Sequence, residues 1–330
     1  MKLSIIIPQY NETESVITPL LTSIDNQLGI DFKGIEVIIL NDGSSTLLSR
    51  GFLERFINIK PIYKKLKKNV GVGMCRQKGI ECAKGDYIIF CDADDMFYNA
   101  GVLGLFLNEI ETKNPDICSS AWLEEQKTEN GYIYIQHNIE ATWIHGKIFR
   151  RQYLIDNDIK FLPKFRVHED TYFVGLAFDL TESKNYIDIV TFVWKHNPIS
   201  FTRIDNNSFS YKEFSVFMDS VMEMLKVVEK KKPELIPFRV TQFMLYVYFS
   251  LQLPYWELEE SFEYKVSCEK LLSEFMDLYY EHYNMYPKER FAALYDEEKN
   301  KVLAFQDKVL KESFESFMGR ILKEEMMEAE

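Results

Sequence analysis

Ile88-Ile89-Phe90-Cys91-Asp92-Ala93-Asp94-Asp95-Met96 (IIFCDADDM, residues 88–96) runs four apolar residues straight into four positions, three of them carboxylates. An apolar run of this kind is a buried strand, and unpaired charge in a dry core is very costly. Asp92, Asp94 and Asp95 therefore belong at the strand's carboxyl end, in a wet crevice. Hard divalent cations take oxygen ligands, and an anionic partner such as a diphosphate would complete their shell. The stretch reads as a metal-assisted nucleotide site. The competing reading is a solvated acidic turn, which a loop of this composition often is. What the rest of the chain places beside it decides between them.

Outward from this stretch the chain alternates. Residues 3–7 form an apolar run broken only by Ser4 and stopped by Pro8, and residues 36–40 (EVIIL) form a second run of the same kind; both read as buried parallel strands. Residues 13–28 carry Ile17, Leu20, Leu21, Ile24 and Leu28 at helical spacing, with Pro19 assigned to the first turn. Residues 46–56 read as a helix, 61–66 as a short strand, 73–84 as a helix stopped at Gly85, and 101–113 as an amphipathic helix. Residues 86–91, 116–121, 132–136 and 187–194 read as strands. The alternation implies right-handed crossovers and an α/β, Rossmann-like, mostly parallel central sheet flanked by helices. After about residue 206 the texture changes: residues 211–230, 235–253, 260–283 and 298–323 are periodic as helices and show no strand pattern. The expected organisation is an α/β domain over 1–205 and a helical region over 206–330, used for acceptor binding, oligomerisation or structural support.

Composition narrows the function. The chain has 330 residues, 46% of them apolar and 15% aromatic, enough for a sizeable core and against disorder. A net charge of −12 disfavours broad nucleic-acid binding, which needs clustered cations, without excluding a local basic groove. The five scattered cysteines lack a CxxC pair and fit reduced thiols better than a disulfide framework or a zinc site. The first residues lack a signal peptide's long apolar core, and no apolar stretch reaches membrane-spanning length. A soluble cytoplasmic protein, at most peripheral to a membrane, is expected.

In open α/β sheets ligands bind outside the carboxyl ends of the strands, and three such ends are polar: Pro8-Gln9-Tyr10-Asn11-Glu12, Asn41-Asp42-Gly43-Ser44-Ser45, and Asp92-Ala93-Asp94-Asp95. Between the last two, a basic segment (Lys64, Lys65, Lys67, Lys68) enters Asn69-Val70-Gly71-Val72-Gly73-Met74-Cys75-Arg76, a glycine-flanked helix start suited to phosphate or carboxylate. Each piece has a plain alternative: Asp42 as a turn residue, Tyr10 as a packed surface aromatic. Gly71-x-Gly73 lacks a third glycine and a strong preceding strand, which argues against a dinucleotide-binding dehydrogenase.

The set in this order resembles the family 2 glycosyltransferases, inverting enzymes of GT-A fold that use nucleotide-diphospho-sugars. The resemblance is carried by SIIIPQYNE, EVIILNDGSS, NVGVGMCRQKGIECAKGDYIIFCDADD, HGKIFRRQYL and HEDTYF, spanning roughly residues 3–200; residues from about 206 onward carry no assignable motif. It implies a UDP-sugar donor held by Pro8, Tyr10, Glu12, Asp42, Arg76, Asp92 and Ala93. Tyr10 would stack on uracil, and Asp42 would accept from its ring N–H. Where the family has two acids in the second loop, the first position here is Asn41. Asp92-Ala93-Asp94 matches the DXD motif: Asp94 would bind Mn²⁺ or Mg²⁺, with His196 as a further candidate ligand, and Asp92 would contact the ribose or a metal-bound water. Asp95 would be a further ligand or a helix cap, the cap being preferred. Asp170, in His168-Glu169-Asp170, would deprotonate the acceptor hydroxyl, with Glu169 orienting it; the plain alternative is an acidic first turn of a helix over 171–178. Trp143, His145 and Lys147 would build the acceptor side, and Lys195, His196 and Ser200, with Arg203 as a second basic option, a loop over the diphosphate.

The expected activity is transfer of a hexosyl or N-acetylhexosaminyl group to an acceptor hydroxyl on a cell-wall, capsular or exopolysaccharide, a lipid carrier, a protein or modified DNA. The alternatives are a non-catalytic nucleotide-sugar-binding scaffold of the same fold, which the joint presence of DADD and HED disfavours, and a nucleotidyltransferase, which would want a Gly-rich phosphate loop after the first strand.

Overall fold

The structure is a computed structural model that describes residues 2–138, 142–198, 208–304 and 310–322. Contacts divide the chain into two compact units, Met1–Pro198 and Ile199–Glu330. The boundary expected at residue 205 falls among residues 199–207, outside the described residues.

The first unit is built on β1 (Leu3–Gln9), all seven residues of which are buried. It is followed by α1 (Glu14–Asp25), β2 (Ile35–Asn41), α2 (Arg50–Leu53), β3 (Ile62–Lys65), α3 (Val72–Cys82), β4 (Tyr87–Phe90) and β5 (Met96–Phe97). Then come α4 (Val102–Lys113), β6 (Ile117–Thr128), β7 (Gly131–His137), β8 (Lys147–Arg150), α5 (Arg151–Asp156), α6 (Glu169–Leu180) and β9 (Lys184–Trp194). The strands form one sheet in the order β3-β2-β1-β4-β8-β6-β9-β5, with β7 paired to β6. The parallel crossovers implied by the alternation make the β3-β2-β1-β4 half. Beyond β4 the sheet is mixed: β8 runs antiparallel to both β4 and β6, while β9 is parallel to β6. Strands buried on both faces read as continuous apolar runs, which is why β1, β2 and β4 are plain in the sequence, while of β6 and β9, with polar and charged residues along them, only residues 116–121 and 187–194 read as strands.

Four local readings need correction. Pro8 does not stop β1: pairing with β4 ends at Ile6↔Phe90, and a strand with one partner tolerates the missing N–H. Pro19 lies in the middle of α1 rather than in its first turn; the carbonyl it leaves unbonded belongs to exposed Ser15, where water can satisfy it. Residues 46–56 give only the four-residue α2, because the Thr46 carbonyl is taken by the Asn41 amide at 2.9 Å. Gly85 does not end α3, which stops at extended Ala83; its N–H instead donates to Ser4 Oγ at 2.8 Å.

The second unit comprises α7 (Ser208–Lys212), α8 (Phe214–Lys231), α9 (Ile236–Ser250), α10 (Phe262–Asn284), α11 (Lys288–Val302) and α12 (Phe314–Ile321). Residues 298–323 are not one helix: α11 ends at Val302, and α12 starts anew after Ser313, whose hydroxyl accepts from Ser316 N–H. Tyr248 and Phe249 on α9 are wholly buried, with Tyr248 against Phe314 and Phe317, so these aromatics are core. Among the described residues no helix is long and apolar enough to cross a membrane.

Candidate active site

The carboxyl ends of β1, β2 and β4 converge, and side-chain hydrogen bonds stitch their loops together. Asn41 at the end of β2 donates from Nδ2 to the Thr46 carbonyl and the Tyr63 hydroxyl, and accepts from Ser44 N–H at Oδ1. An aspartate cannot donate, which accounts for the amide at this position. Ser44 Oγ accepts from Asn11 N–H at 3.0 Å and donates to Asn11 Oδ1 at 2.8 Å, tying the first loop to the second. Beside that tie Tyr10 is 48% exposed, a free aromatic face. Asp42, 2% exposed, accepts from Val70 N–H (2.7 Å) and Gly71 N–H (2.9 Å) and so anchors the start of α3. Gly43, at φ +71°, lies so close to the Lys68–Asn69 backbone that a Cβ would stand 2.4 Å from it.

α3 delivers Arg76 into the interior, 3% exposed. Its Nη2 donates to Asp92 Oδ1 at 2.5 Å and its Nη1 to Glu169 Oε1 at 2.7 Å. The guanidinium thus joins the acidic loop after β4 to the first turn of α6. This close approach needs Gly73, where a Cβ would lie 2.7 Å from Glu169 Cγ. α6 is held from below by Phe173, which stacks on Phe161 at 4.1 Å and packs edge-on against Phe90 of β4. Asp170, three residues before Phe173, is half-buried and accepts from Thr171 N–H at 2.9 Å. Burial raises its carboxyl to about 6, against the opposing pull of Arg76. Glu169 is also raised, by burial and then by Asp170. Burial alone would raise Asp92, but Arg76 holds it below the usual carboxylate range.

One ligand atom each from Asp92, Asp95 and His145 lie within 4.8 Å of one another. Two carboxylates and an imidazole form a donor set that suits Mn²⁺ and similar divalent ions. His145 Nδ1 is buried without a hydrogen-bond partner among the described residues and lies 3.9 Å from Asp95 Oδ2. Burial lowers its imidazole to about 4, so it is neutral and able to ligate near pH 7. These residues fit a cation. Glu12, from the first loop, is raised to about 7 by burial, with Asp94 and Asp92 adding to the shift, which places a third acid toward this cluster. Residues 195–197 lie along the same loop: Lys195 N–H donates to Asp95 Oδ1 at 2.9 Å and Asn197 Nδ2 to Asp94 Oδ2 at 2.7 Å.

Residues 4–166 match the model described as Glycosyl transferase family 2. This stretch, most of the first unit, belongs to that family. The uncharacterised glycosyltransferase EpsJ of Bacillus subtilis is 25% identical over 225 residues, covering 61% of this chain and 63% of the relative; this chain thus spans under two thirds of EpsJ's length. Among solved structures, S. aureus TarS 1-349 in complex with UDP is similar over 92% of this chain and 88% of that one, at 17% identity and TM-score 0.66, and is also known with UDP-GlcNAc. The mannosyltransferase PcManGT of Pyrobaculum calidifontis, in complex with GDP-Man and Mn²⁺, is similar over 93% and 88% at 12% identity and TM-score 0.51. Both likenesses are of fold, α/β followed by helices.

In this chain the site residues read from sequence are redistributed. Arg76, expected beside the base or the phosphates, spends both terminal nitrogens on carboxylates. Asp95 caps no helix, since the strand β5 follows it; it is wholly buried and joins the candidate metal set. Asp94 lies outside that set, as does His196, whose ring is 6.2 Å from Tyr132 and whose N–H donates to Glu125 Oε1 at 3.1 Å. Pro8 and Ala93 are buried backbone supports. On the expected acceptor side, His145 and Lys147 are interior residues and Trp143 is half-buried against Trp122 and Trp194. Ser200 and Arg203 lie outside the described residues. Three participants were not read from sequence. Glu125 anchors His196 N–H and the Tyr134 hydroxyl, and Arg166 donates to Asn69 Oδ1 at 2.8 Å beside Gly71. The third is the metal-ligating reading of His145, whose signal was its place just before Gly146, a residue at φ +62° that turns the chain into β8.

Tyr10 supplies a direct test of the donor pocket. Stacking a base on an aromatic is worth roughly 1–3 kcal/mol. Tyr10→Ala should therefore raise the donor KM by about tenfold with kcat nearly unchanged, read from steady-state kinetics; an unaltered KM would remove Tyr10 from the pocket.

Proposed function

We propose that this chain moves a sugar from a UDP-sugar to an acceptor hydroxyl with inversion at the anomeric carbon, Asp170 being the general base. The reading rests on one observation above the others: Arg76 binds the acidic loop that follows β4 and the first turn of α6 at once, so the donor acids and the base carboxyl share one wall. Tyr10 carries the uracil, and a remaining lone pair of Asp42 accepts from its ring N–H. Asp92, Asp95 and His145 hold a divalent cation, Mn²⁺ or Mg²⁺, with Asp94 adding an oxygen at the mouth. When bound, that ion neutralises diphosphate charge on the leaving group. Lys195 and Asn197 hold residues 195–197 against the acids. Asp170 takes the proton from the acceptor hydroxyl as its oxygen attacks, and a base poised near 6 is ionised and still basic enough to do so. Glu169, fixed by Arg76, keeps the base helix in place. UDP is the nucleotide bound by the structurally similar TarS. The helical unit serves acceptor binding, oligomerisation or structural support.

The test is thermal. With Mn²⁺ present, UDP-sugars should raise the melting temperature, by about 2.7 kcal/mol of stabilisation at a hundredfold excess over Kd. Chelation should remove the shift, and His145→Ala should remove it with the chain still folded. GDP- and TDP-sugars should give less. No metal-dependent shift with any nucleotide-sugar would sink the reading.

A further inference from the structure

Between Glu54 and Glu81 the chain contains no acidic residue and eight cations: Arg55, Lys60, Lys64, Lys65, Lys67, Lys68, Arg76 and Lys78. The overall −12 is therefore +8 in this segment and −20 elsewhere. Arg76 is interior and paired, but Lys60, Lys64, Lys65, Lys67 and Lys68 are all exposed, and none is in an ion pair among the described residues. They lie on and around β3, the edge strand of the sheet, from its entry at Lys60 to the loop that leads to Asn69 and the donor pocket. A lysine or two on an edge strand is an ordinary guard against edge-to-edge pairing. A run that continues past both ends of a four-residue strand goes beyond that need.

The same strip exposes apolar side chains. Ile57 is 71% exposed, Ile62 on β3 41%, and Leu47 56%. The Leu47 loop abuts the strand, since Leu48 N–H donates to the Tyr63 hydroxyl. Cations alone would fit any polyanion. Cations interleaved with isolated large apolar side chains fit a surface that is charged outside and apolar just beneath, and an anionic bilayer is such a surface.

We propose that the β3 edge, residues 57–68, docks this protein on an anionic lipid membrane. The lysines face the headgroups, Ile57 and Ile62 enter the interface, and the acidic remainder of the chain is repelled, which fixes which side approaches. Docked so, the carboxyl end of β3 brings the adjoining Asn69–Gly71 loop of the donor pocket up to the bilayer. This reading does not depend on which sugar is transferred.

The test is sedimentation of the full chain with phosphatidylcholine vesicles, with and without phosphatidylglycerol, at low and high salt. Binding should require the anionic lipid and weaken with salt. A lysine near such a surface is worth about 1 kcal/mol, roughly fivefold in partitioning. Replacing Lys64, Lys65, Lys67 and Lys68 together by Gln should thus lower partitioning at least about 100-fold, while the melting temperature of the free chain stays put. Ile57→Ser with Ile62→Ser should weaken binding several-fold at constant charge. Absence of binding, or binding indifferent to the four lysines, would overturn the proposal. So would equal retention on soluble polyphosphate with no effect of the isoleucine changes, which would make the strip a site for a dissolved polyanion.

Discussion

Asp170→Asn should lower kcat by about a thousandfold or more while leaving the donor KM within a factor of two, because positioned proton transfer contributes typically 10²–10⁴. The change keeps the shape of the side chain and its contact with Thr171 N–H, and removes only the basic oxygen. The pH profile supplies the second readout. A base raised to about 6 is protonated and idle below that value, so kcat/KM of the intact enzyme should climb through pH 6 and level off above 7. The Asn variant should lose this inflection. Stability moves in the opposite sense. The folded-state carboxyl lies above its unfolded value of about 3.9, so the stability it contributes is full below that value and is lost as pH rises through about 6. Asp170→Asn should therefore melt at the same temperature as the parent, or higher, at pH 8. A variant that keeps more than a tenth of parental kcat would exclude Asp170 as the base. A variant inactive only because it melts early would fail the stability arm and be recognised as such.

The parts of the molecule that were legible in the sequence share a physical property: their signal is local. β1, β2 and β4 are short apolar runs that end in polar residues, so both the strand and the loop at its carboxyl end can be read from a few adjacent positions. Sharp positions such as Gly43 and Gly73 are also visible, although the reason for each is a contact with a distant segment. What could not be read was pairing at long separation. Arg76 binds a partner 93 residues away, and Asp95 meets Lys195 across 100 residues. The basic residue at the start of α3 was therefore assigned to an anionic ligand, when the nearest anions are the protein's own. For Asp95 the cap was preferred over the ligand reading because acids often start helices, and only the antiparallel pairing of β5 with β9 shows why a two-residue strand follows instead. His145 was read from its neighbours in sequence as an acceptor contact. Its environment is set by the return of β9, which stacks Phe192 and Trp194 on the ring and leaves Nδ1 turned to the acids.

Arg76→Met should cost more stability than any single surface change in this unit. Removing one partner of a buried ion pair typically costs 3–5 kcal/mol, because the other charge is left uncompensated. Here two carboxylates, Asp92 and Glu169, lose their cation together. For a unit of this size that corresponds to a fall of roughly 10 °C in Tm. Arg76→Lys should recover only part, since an ammonium is a single point charge and cannot present two parallel donors to separate acids. The double variant is the sharper test. Glu169, raised by burial and Asp170 even beside Arg76, is raised further without it, so adding Glu169→Gln to Arg76→Met should raise stability relative to Arg76→Met alone at alkaline pH, where the carboxyl would otherwise be charged. On the proposed mechanism turnover should not follow, because α6 would have lost its tether to the acidic loop and with it the positioning of Asp170. A packing role alone would give recovery of neither, and a purely electrostatic role recovery of both. If Arg76→Met melts within about 2 °C of the parent, the guanidinium is not what joins the two walls, and the coupling between the donor acids and the base helix must be carried by the Phe90–Phe161–Phe173 contacts beneath them.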